Sequence, residues 1–279
     1  MKPVIHLGVF GNPIEHSLSP RIHSLFAKAQ QHPVEYRRYL STPGRFSRNI
    51  AQFFRSGGKG LNVTLPFKQQ AAELATELTK RAQEAGAVNT LVAMGNGQLL
   101  GDNTDGEGLI KDLEEKGFKV SERSLVVFGS GGSARGILPL LLQQQPRRIY
   151  LVNRTVDKAL MLKSQLENLG VLAADRIQVL ASALEINEPI DLMVNATSSS
   201  LMGQRLALPP QLAEGASGYD LMYSDEPTLF MQQLSQAGCE NVSDGLGMLV
   251  EQAASSYQLW MGGERPDTAF VMAHLRARS

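Results

Sequence analysis

The sequence has almost none of the residues that crosslink a chain or hold a structural metal. Its 279 residues include one cysteine, Cys239, which excludes a disulfide within the chain and a thiolate metal cluster. The five histidines show no ligand spacing; they are His6, His16, His23, His32 and His274. We therefore expect no metal site, and a lone cysteine fits the reducing cytoplasm.

Excess charge of either sign and long apolar runs are also missing. Lys plus Arg and Asp plus Glu both number 27, so the net charge is zero and neither nucleic acid nor a membrane surface is an expected partner. No apolar run approaches the ~18–20 residues of a membrane span. The start, residues 1–8, lacks a signal-peptide pattern and predicts a first strand.

Hydrophobic residues make up 43% of the chain, which is enough for real cores, and the length suggests two domains. Strands and helices alternate in the second half, which favours a parallel sheet with right-handed crossovers. The predicted strands there are 125–128, 149–152, 177–180, 192–195 and 219–222. The predicted helices are 133–144, 156–169 and 227–237, followed by two more at 248–261 and 268–276.

In the first half, strands are predicted at 4–10, 34–40, 60–65 and 87–94, with a hairpin turn at 95–97 and a return at 98–100. Helices are predicted at 46–54, from Pro66 to about Glu84, and at 109–116. A further helix follows Pro20, with Ser19 as its N-cap. We expect an α/β fold with a substrate domain at 1–105, completed by C-terminal helices 245–279 that pack back on it. A Rossmann-like dinucleotide-binding domain would occupy 106–244.

The glycines after the strand at 125–128 predict a dinucleotide site. Gly129 allows a tight turn, Gly131 lets the backbone approach a pyrophosphate, and Ala134 is small enough for a helix to pack on the strand. The free N–H groups at the start of the following helix would face the phosphates. Glycines also make plain turns, but the strand before and the helix after favour binding.

The next strand end indicates NADP rather than NAD. NAD binders place an acidic residue ~20 residues past the glycines, but the strand here ends at Asn153 and Arg154. Arg154 can stack on adenine and pair with a 2′-phosphate, and Lys158 can add charge. The alternative is a solvated helix start, yet two cations there oppose the helix dipole, and a bound phosphate would remove that conflict.

Polar clusters follow three predicted strand ends in the first half. They are Ser17 with Ser19, residues 62–68, and Asn89–Thr90 with 103–105. Hydroxyls, amides, one ammonium and one carboxylate suit a small polyhydroxylated carboxylic acid. Each of these residues alone is equally explained as a cap or a turn former.

Lys68 is the most informative residue of these clusters. A cation in the first turn of a helix is disfavoured by the dipole, so its presence there suggests a chemical role. A lysine held near a carboxylate such as Asp105 suits general acid–base catalysis. The alternative is an exposed lysine that bends away to solvent.

Taken together, these segments resemble the shikimate dehydrogenase family over essentially the full length. The matching motifs are 11–20, 62–68, 86–90, 101–106, the glycine loop, 153–155, 195–198 and 244–248. The resemblance implies reversible NADP-dependent reduction of 3-dehydroshikimate to shikimate, a step towards chorismate and the aromatic amino acids. It implies a cytoplasmic enzyme, monomer or homodimer, acting on a small molecule.

The resemblance also implies roles for particular residues. Lys68 would be the acid–base residue paired with Asp105, and Ser17 and Ser19 would hold the substrate carboxylate. The other substrate contacts would be Thr64, Asn89, Tyr223 and Gln252. The cofactor contacts would be Gly129, Ser130, Gly131, Gly132, Ser133, Asn153, Arg154, Thr155, Lys158, Leu221 and Gly245.

The chain departs from the family pattern at a few positions. Leu221 stands where methionine is usual, and Thr228-Leu-Phe230 stands for Thr-Pro-Phe, which leaves the start of the next helix open. Ser130 and Ser133 replace common alanines. The amide of Gln252, on an otherwise apolar helix, needs a partner, and a substrate hydroxyl or Lys68 is expected to supply one.

Two other functions remain open on the sequence alone. One is a quinate/shikimate dehydrogenase that uses NAD or both cofactors, which the paired serines and Arg154 disfavour. The other is a non-catalytic metabolite-binding module of a regulator, which the intact Lys68 and Asp105 disfavour.

Overall fold

The structure is a computed structural model that describes residues 3–277. It divides into two compact units, unit 1 (Met1–Gly108 with Leu249–Ser279) and unit 2 (Leu109–Met248). The first two and last two residues of the predicted substrate domain lie outside the described residues. Within residues 3–277, no helix is long and apolar enough to cross a membrane.

The strands and helices follow each other in the order that alternation predicts. The strands are β1 (Ile5–Gly11), β2 (Val34–Leu40), β3 (Gly60–Val63), β4 (Glu77–Leu78), β5 (Thr90–Gly95), β6 (Gln98–Asp102), β7 (Ser124–Phe128), β8 (Arg148–Val152), β9 (Ile177–Leu180), β10 (Leu192–Asn195), β11 (Ser217–Asp220) and β12 (Asn241–Ser243). The helices are α1 (Ser19–Ala29), α2 (Phe46–Arg55), α3 (Lys68–Leu74), α4 (Lys80–Ala85), α5 (Asp105–Glu115), α6 (Gly132–Gln143), α7 (Val156–Asn168), α8 (Leu229–Gln236), α9 (Leu246–Met261) and α10 (Thr268–Arg276).

Unit 1 contains a mixed sheet in the order β2-β1-β3-β5-β6-β4. β1 pairs in parallel with β2 and β3, whereas β5 is antiparallel to both of its neighbours. The β5–β6 hairpin turns at Asn96 and Gly97, whose φ angles of 51° and 78° are those of a type I′ turn. The predicted Gly-Asn-Gly turn is therefore confirmed.

The C-terminal helices belong to unit 1 and help to build its core. Trp260 of α9 is buried, and its indole Nε1 donates to the Leu91 carbonyl of β5 at 3.0 Å. At α10, the His274 carbonyl accepts a hydrogen bond from Arg21 of α1 at 2.6 Å. The expectation that these helices pack back on the first domain is thus met in the fold.

The single helix predicted from Pro66 to Glu84 is wrong. α3 ends at Leu74, the chain extends through β4, and α4 starts afresh with the Thr79 hydroxyl accepting from the Ala82 N–H at 3.3 Å. β4 pairs with β6 and places Leu78 opposite Gly101, where a side chain would clash with Leu78. Tertiary pairing and a good N-cap therefore override the helical periodicity of this segment.

The predicted N-cap of α1 is also wrong. Ser19 is the first residue of the helix, Leu18 is at the N-cap position, and the hydroxyl of Ser17 accepts the Ser19 N–H at 3.3 Å. At α8 the missing proline has no effect on the helix start, because Thr228 caps it by accepting the Met231 N–H at 3.3 Å.

Unit 2 is a parallel six-stranded sheet in the order β12-β11-β10-β7-β8-β9. Its strands are arranged as in the 3-2-1-4-5-6 order of the dinucleotide-binding fold, read from β9 to β12. All five residues of β7 are buried, as expected for a central strand with helices on both faces. The short edge strand β12 was not predicted, since it has only three residues.

Candidate active site

Lys68 and Asp105 form a buried ion pair in unit 1. The lysine Nζ lies 2.6 Å from the aspartate Oδ2, and the side chains are only 10% and 6% exposed. Lys68 is the first residue of α3 and Asp105 the first residue of α5. The dipole of α5 favours the carboxylate, whereas the dipole of α3 disfavours the ammonium, so Asp105 supplies the stabilisation that the lysine position lacks.

Two amide side chains hold this pair in place. Asn89, just before β5, donates from Nδ2 to the second carboxylate oxygen of Asp105 at 2.8 Å and to Gln252 Oε1 at 3.2 Å. The Asn89 Oδ1 accepts the Thr104 N–H at 2.9 Å. Gln252 donates from Nε2 to the Leu249 carbonyl at 2.8 Å. The structure thus gives the Gln252 amide partners from Asn89, from its own helix and from the Thr104 hydroxyl, which donates to Oε1 at 3.3 Å.

A second layer of buried hydroxyls was missed from the sequence. Ser256 lies one turn after Gln252 on α9, is fully buried, and its Oγ lies 2.7 Å from the Thr90 hydroxyl and 3.2 Å from that of Thr104. Asn62 donates to the same Ser256 oxygen at 3.1 Å. The only sequence signal for Ser256 was its i+4 spacing from Gln252, which alone does not separate it from an ordinary helix serine.

The two serines of the β1–α1 loop contact each other. The hydroxyl of Ser17 donates to Ser19 Oγ at 3.2 Å, and Ser19 is 5% exposed. Thr64 follows β3 and is partly buried, and a side chain at Gly11 would clash with its methyl group. Asn103 accepts the Asp105 N–H at 3.1 Å, so it shapes the turn before α5.

One of the predicted substrate residues is not part of unit 1. Tyr223 belongs to unit 2, in the irregular segment after β11, and is partly buried. The structure therefore brings Lys68, Asp105, Asn89 and Gln252 together directly, and Ser17 with Ser19.

The glycine loop of unit 2 has the conformation that the fingerprint requires. Gly129 has a φ of 99°, which favours glycine, and a side chain there would press on the Ala196 carbonyl. Apart from Gly131 itself and its chain neighbours, no described residue lies within 4 Å of a side-chain position there, so its backbone is open to a ligand. Within residues 3–277 no side chain caps α6, whose first residues are Gly132 and Ser133, which leaves the N–H groups of this 12-residue helix for an anion.

The predicted phosphate cations are accessible at the end of β8. Arg154, Thr155 and Lys158 are all exposed, and the Thr155 side chain does not cap α7. Asn153 donates to the Thr155 carbonyl at 2.7 Å, which holds the turn. Two cations, Arg154 and Lys158, are therefore available at the end of this strand, and residues 153–155 include no carboxylate. Both features are what binding of a 2′-phosphate requires.

Leu221 and Gly245 lie together in unit 2. Leu221 is buried, and the Gly245 N–H donates to the Met222 carbonyl at 3.0 Å. Any side chain at Gly245 would clash with the backbone of Leu221, so this close approach requires glycine.

The polar residues after β10 are held by a buried carboxylate. Asn195 donates to Asp220 Oδ1 at 3.0 Å, and Ser200 donates to Oδ2 at 2.6 Å. Burial raises the pKa of Asp220, and these hydrogen bonds oppose the shift. The Asn195 amide is thus engaged within unit 2, and the expectation that residues 195–198 border the nicotinamide stays a prediction.

Family models match three consecutive parts of the chain. They are the shikimate dehydrogenase substrate binding domain at residues 9–91, the shikimate / quinate 5-dehydrogenase family at 112–203 and the shikimate 5'-dehydrogenase C-terminal domain at 245–276.

Relatives and solved structures agree with these matches. The NADP(+) shikimate dehydrogenase of Idiomarina loihiensis is 73% identical over the full length of both chains. The crystal structure of shikimate dehydrogenase from Aquifex aeolicus is 28% identical, with a TM-score of 0.87 and 99% of each chain covered. That of the Thermus thermophilus enzyme in complex with NADP(H) and shikimate is 29% identical, with a TM-score of 0.82, covering 98% of this chain and 99% of its own. This chain therefore belongs to the shikimate dehydrogenase family.

Proposed function

We propose that the Lys68–Asp105 pair is the acid–base centre of an NADP-dependent shikimate dehydrogenase. The chain is an oxidoreductase that acts on a CH–OH group, interconverting 3-dehydroshikimate and shikimate on the route to chorismate and aromatic amino acids. The observation that carries the assignment is the buried contact of 2.6 Å between the ammonium and the carboxylate, with Asn89 on the second carboxylate oxygen.

The side chains around this pair suit a cyclic polyol with a carboxylate. Ser17 and Ser19 offer adjacent hydroxyls to the substrate carboxylate, and Thr64 offers a third polar contact. Asn89 and Gln252 present amide groups to ring hydroxyls, with Tyr223 as a further contact. A substrate with several hydroxyls suits such a set, because hydroxyl groups can both donate hydrogen bonds to these side chains and accept hydrogen bonds from them.

Lys68 moves the proton in this mechanism. NADPH, if held by unit 2, would provide the hydride that adds to the carbonyl carbon of the ring ketone. The Lys68 ammonium donates its proton to the alkoxide that develops on the former carbonyl oxygen. Asp105 restricts the orientation of Nζ through the short contact and stabilises the charge before transfer. In the reverse direction the lysine amine accepts the hydroxyl proton.

The cofactor would be held by unit 2. The open backbone at Gly131 and the uncapped start of α6 suit the pyrophosphate, with Ser130 and Ser133 beside them. Arg154 and Lys158 would pair with the 2′-phosphate, with Asn153 and Thr155 forming the turn. Leu221 and Gly245 would complete the site on the nicotinamide side.

The functional division of the chain follows the same proposal. Residues 1–105 with 245–279 form the substrate and catalytic domain, and residues 106–244 form the NADP-binding domain. The protein acts on small molecules in the cytoplasm as a monomer or homodimer, without a nucleic-acid partner. Light scattering on a sizing column measures the oligomeric state.

The deciding assay follows oxidation of NADPH in the presence of 3-dehydroshikimate. Parallel measurements replace NADPH by NADH, or test quinate as the substrate in the reverse direction. We expect turnover with NADPH and shikimate-type substrates far above that with NADH or quinate. Comparable rates with NADH would favour the dual-cofactor quinate/shikimate enzyme. No turnover with tight binding of either ligand would refute catalysis and favour a binding module.

A further inference from the structure

Arg38 of β2 holds the backbone of the loop that carries the paired serines. Its guanidinium donates twice to the carbonyl oxygen of Ser17, from Nε at 2.9 Å and from Nη2 at 2.6 Å. The two residues are 21 positions apart, and β2 is the edge strand of the unit 1 sheet. The edge of the sheet therefore determines where the Ser17 peptide lies.

The loop is consequently held from two sides. On one side Ser17 and Ser19 hydrogen-bond to each other, by hydroxyl to hydroxyl and by the Ser19 N–H to the Ser17 oxygen. On the other side Arg38 fixes the Ser17 carbonyl, and with it the rotation of the Ser17 peptide. Two donors on one oxygen restrict this peptide more than a single flexible ammonium would.

Arg38 also places a positive charge beside two neutral hydroxyls. By covalent geometry the guanidinium is within roughly 7 Å of the Ser17 Oγ, inside the Debye length of about 8 Å at physiological ionic strength. The loop itself carries the opposite charge at Glu15, whose carboxylate accepts the Ile14 N–H at 3.0 Å. An incoming carboxylate would meet a repulsive loop unless Arg38 offset that charge.

We propose that Arg38 is a positioning residue for recognition of the substrate carboxylate. It orients the Ser17–Ser19 hydroxyl pair. Its guanidinium, which binds the Ser17 peptide, also supplies a positive charge that compensates the negative charge of Glu15. The inference rests on the proposed function, in which these two serines receive the carboxylate.

The neighbouring Arg37 provides a matched control. It is exposed like Arg38 and lies on the same strand, but its guanidinium donates from Nε to Glu35 Oε1 at 2.9 Å. Successive residues of a strand point to opposite faces of the sheet. The two arginines therefore have the same charge and lie on the same strand, but their side chains contact different partners. Removing either charge changes the net charge of the protein equally.

The experiment compares steady-state kinetics of Arg38→Gln, Arg38→Lys and Arg37→Gln with the unaltered protein. For Arg38→Gln we expect KM for shikimate to rise about 5- to 20-fold, while kcat and KM for NADP+ change less than about twofold, because one exposed charge and its hydrogen bonds are lost. Arg38→Lys should raise KM about 2- to 5-fold, since charge is kept but the two-donor geometry is not. Arg37→Gln should match the unaltered protein.

A substrate without the carboxylate charge gives a second readout. With the carboxamide of shikimate, the KM ratio between Arg38→Gln and the unaltered protein should shrink to below about threefold, because no anion needs the cation. An Arg38→Gln KM for shikimate equal to that of Arg37→Gln would overturn the inference, as would an undiminished ratio with the carboxamide. If Arg38→Gln does not fold, an unchanged KM in Arg38→Lys overturns it instead. Failure of the proposed function itself is distinct, because the unaltered protein and Arg37→Gln would then show no turnover.

Discussion

At the scale of single residues, the proposed chemistry depends on the buried pair Lys68–Asp105. A buried ammonium is unfavourable unless it is paired, and here Asp105 is its partner at 2.6 Å. Asn89 then uses the remaining carboxylate oxygen, so the aspartate cannot rotate without losing one of the two contacts. The lysine is thus held in one place by groups from two further segments.

Replacement of Lys68 by alanine should remove proton transfer while leaving the fold intact. We expect kcat to fall about 10²–10⁴-fold, the usual size of an acid–base contribution. Lys80→Ala serves as the control, because its side chain is 88% exposed on α4. Steady-state rates with matching far-UV circular dichroism check the effect, and near-normal turnover of the Lys68 variant would contradict the assignment.

In the proposed cofactor site, the preference for NADP depends on Arg154. Arg154→Asp should weaken NADPH binding about 10²-fold or more and NADH binding much less, because a phosphate contact becomes a repulsion. Lys163→Asp, further along α7, is the matched control, since Lys163 pairs with Glu167 at 3.6 Å. Fluorescence titration of both cofactors measures the ratio, and equal losses for NADPH and NADH would remove the 2′-phosphate argument.

At the scale of helices and strands, glycines allow segments of the chain to pack closely against each other. α9 begins just after Gly245, whose missing side chain lets the backbone pass Leu221. Asp112 of α5 accepts hydrogen bonds from Tyr219 of β11 and Lys116, both at 2.5 Å, and a side chain at Gly247 would clash with its carboxylate. Packing within unit 2 therefore explains why positions 245 and 247 of this segment are glycines.

Gly245→Ala should destabilise unit 2 directly. The added methyl group meets backbone atoms of Leu221 that cannot move like a flexible side chain, so we expect a loss of about 2–3 kcal/mol in unfolding free energy. Gly44→Ala is the control, because no described atom lies within 4 Å of a side-chain position there. Thermal unfolding followed by circular dichroism compares them, and equal melting temperatures would disprove the steric account.

At the scale of the whole molecule, acid stability is tied to one buried histidine. His23 is fully buried in unit 1, stacks on Tyr36 with ring centroids 4.4 Å apart, and lies 3.1 Å from Asn62 Oδ1 through Nε2. Burial lowers the pKa of His23 from 6.5 to about 3, although the hydrogen bond with Asn62 opposes the shift. The folded protein therefore keeps this ring neutral where the unfolded chain would protonate it.

The sign of the pH dependence follows from that difference. Between pH 6.5 and about 3 the unfolded chain binds one more proton, so the contribution of His23 is complete above pH 6.5 and is lost as the pH falls. The slope is about half of its full ~1.4 kcal/mol per pH unit at pH 6.5, where the unfolded histidine is half protonated, and it approaches the full value below that pH. Unit 1 should therefore lose about 2 kcal/mol between pH 6.5 and 4.5.

The single tryptophan, Trp260, reports this unfolding, since its ring centroid is 5.2 Å from that of His23. Urea unfolding followed by Trp260 fluorescence should show that the unfolding free energy of the unaltered protein falls as the pH is lowered. In His23→Gln the unfolding free energy should depend less on pH. Parallel profiles for the two proteins would exclude His23 as the source.

Much of this molecule follows from local patterns. The alternation of strands and helices, the Gly-Asn-Gly hairpin and the glycine loop after β7 were all predicted correctly, because each depends on residues close together in the sequence. The family and its NADP-dependent reaction were also predicted, since they rest on short motifs spread along the whole chain.

Other features depend on contacts between distant segments. The break between α3 and α4 arises because β4 pairs with β6, and no periodicity within residues 66–84 indicates that partner. Ser256 meets its hydrogen-bond partner Thr90 only because α9 lies beside β5, and Arg38 meets Ser17 only because β2 lies beside the β1–α1 loop. Sequence alone determined which chemical groups the protein has and which short turns place them. The tertiary structure alone decided which distant residue supports each group, because a buried polar group takes its partner from whatever segment packs against it.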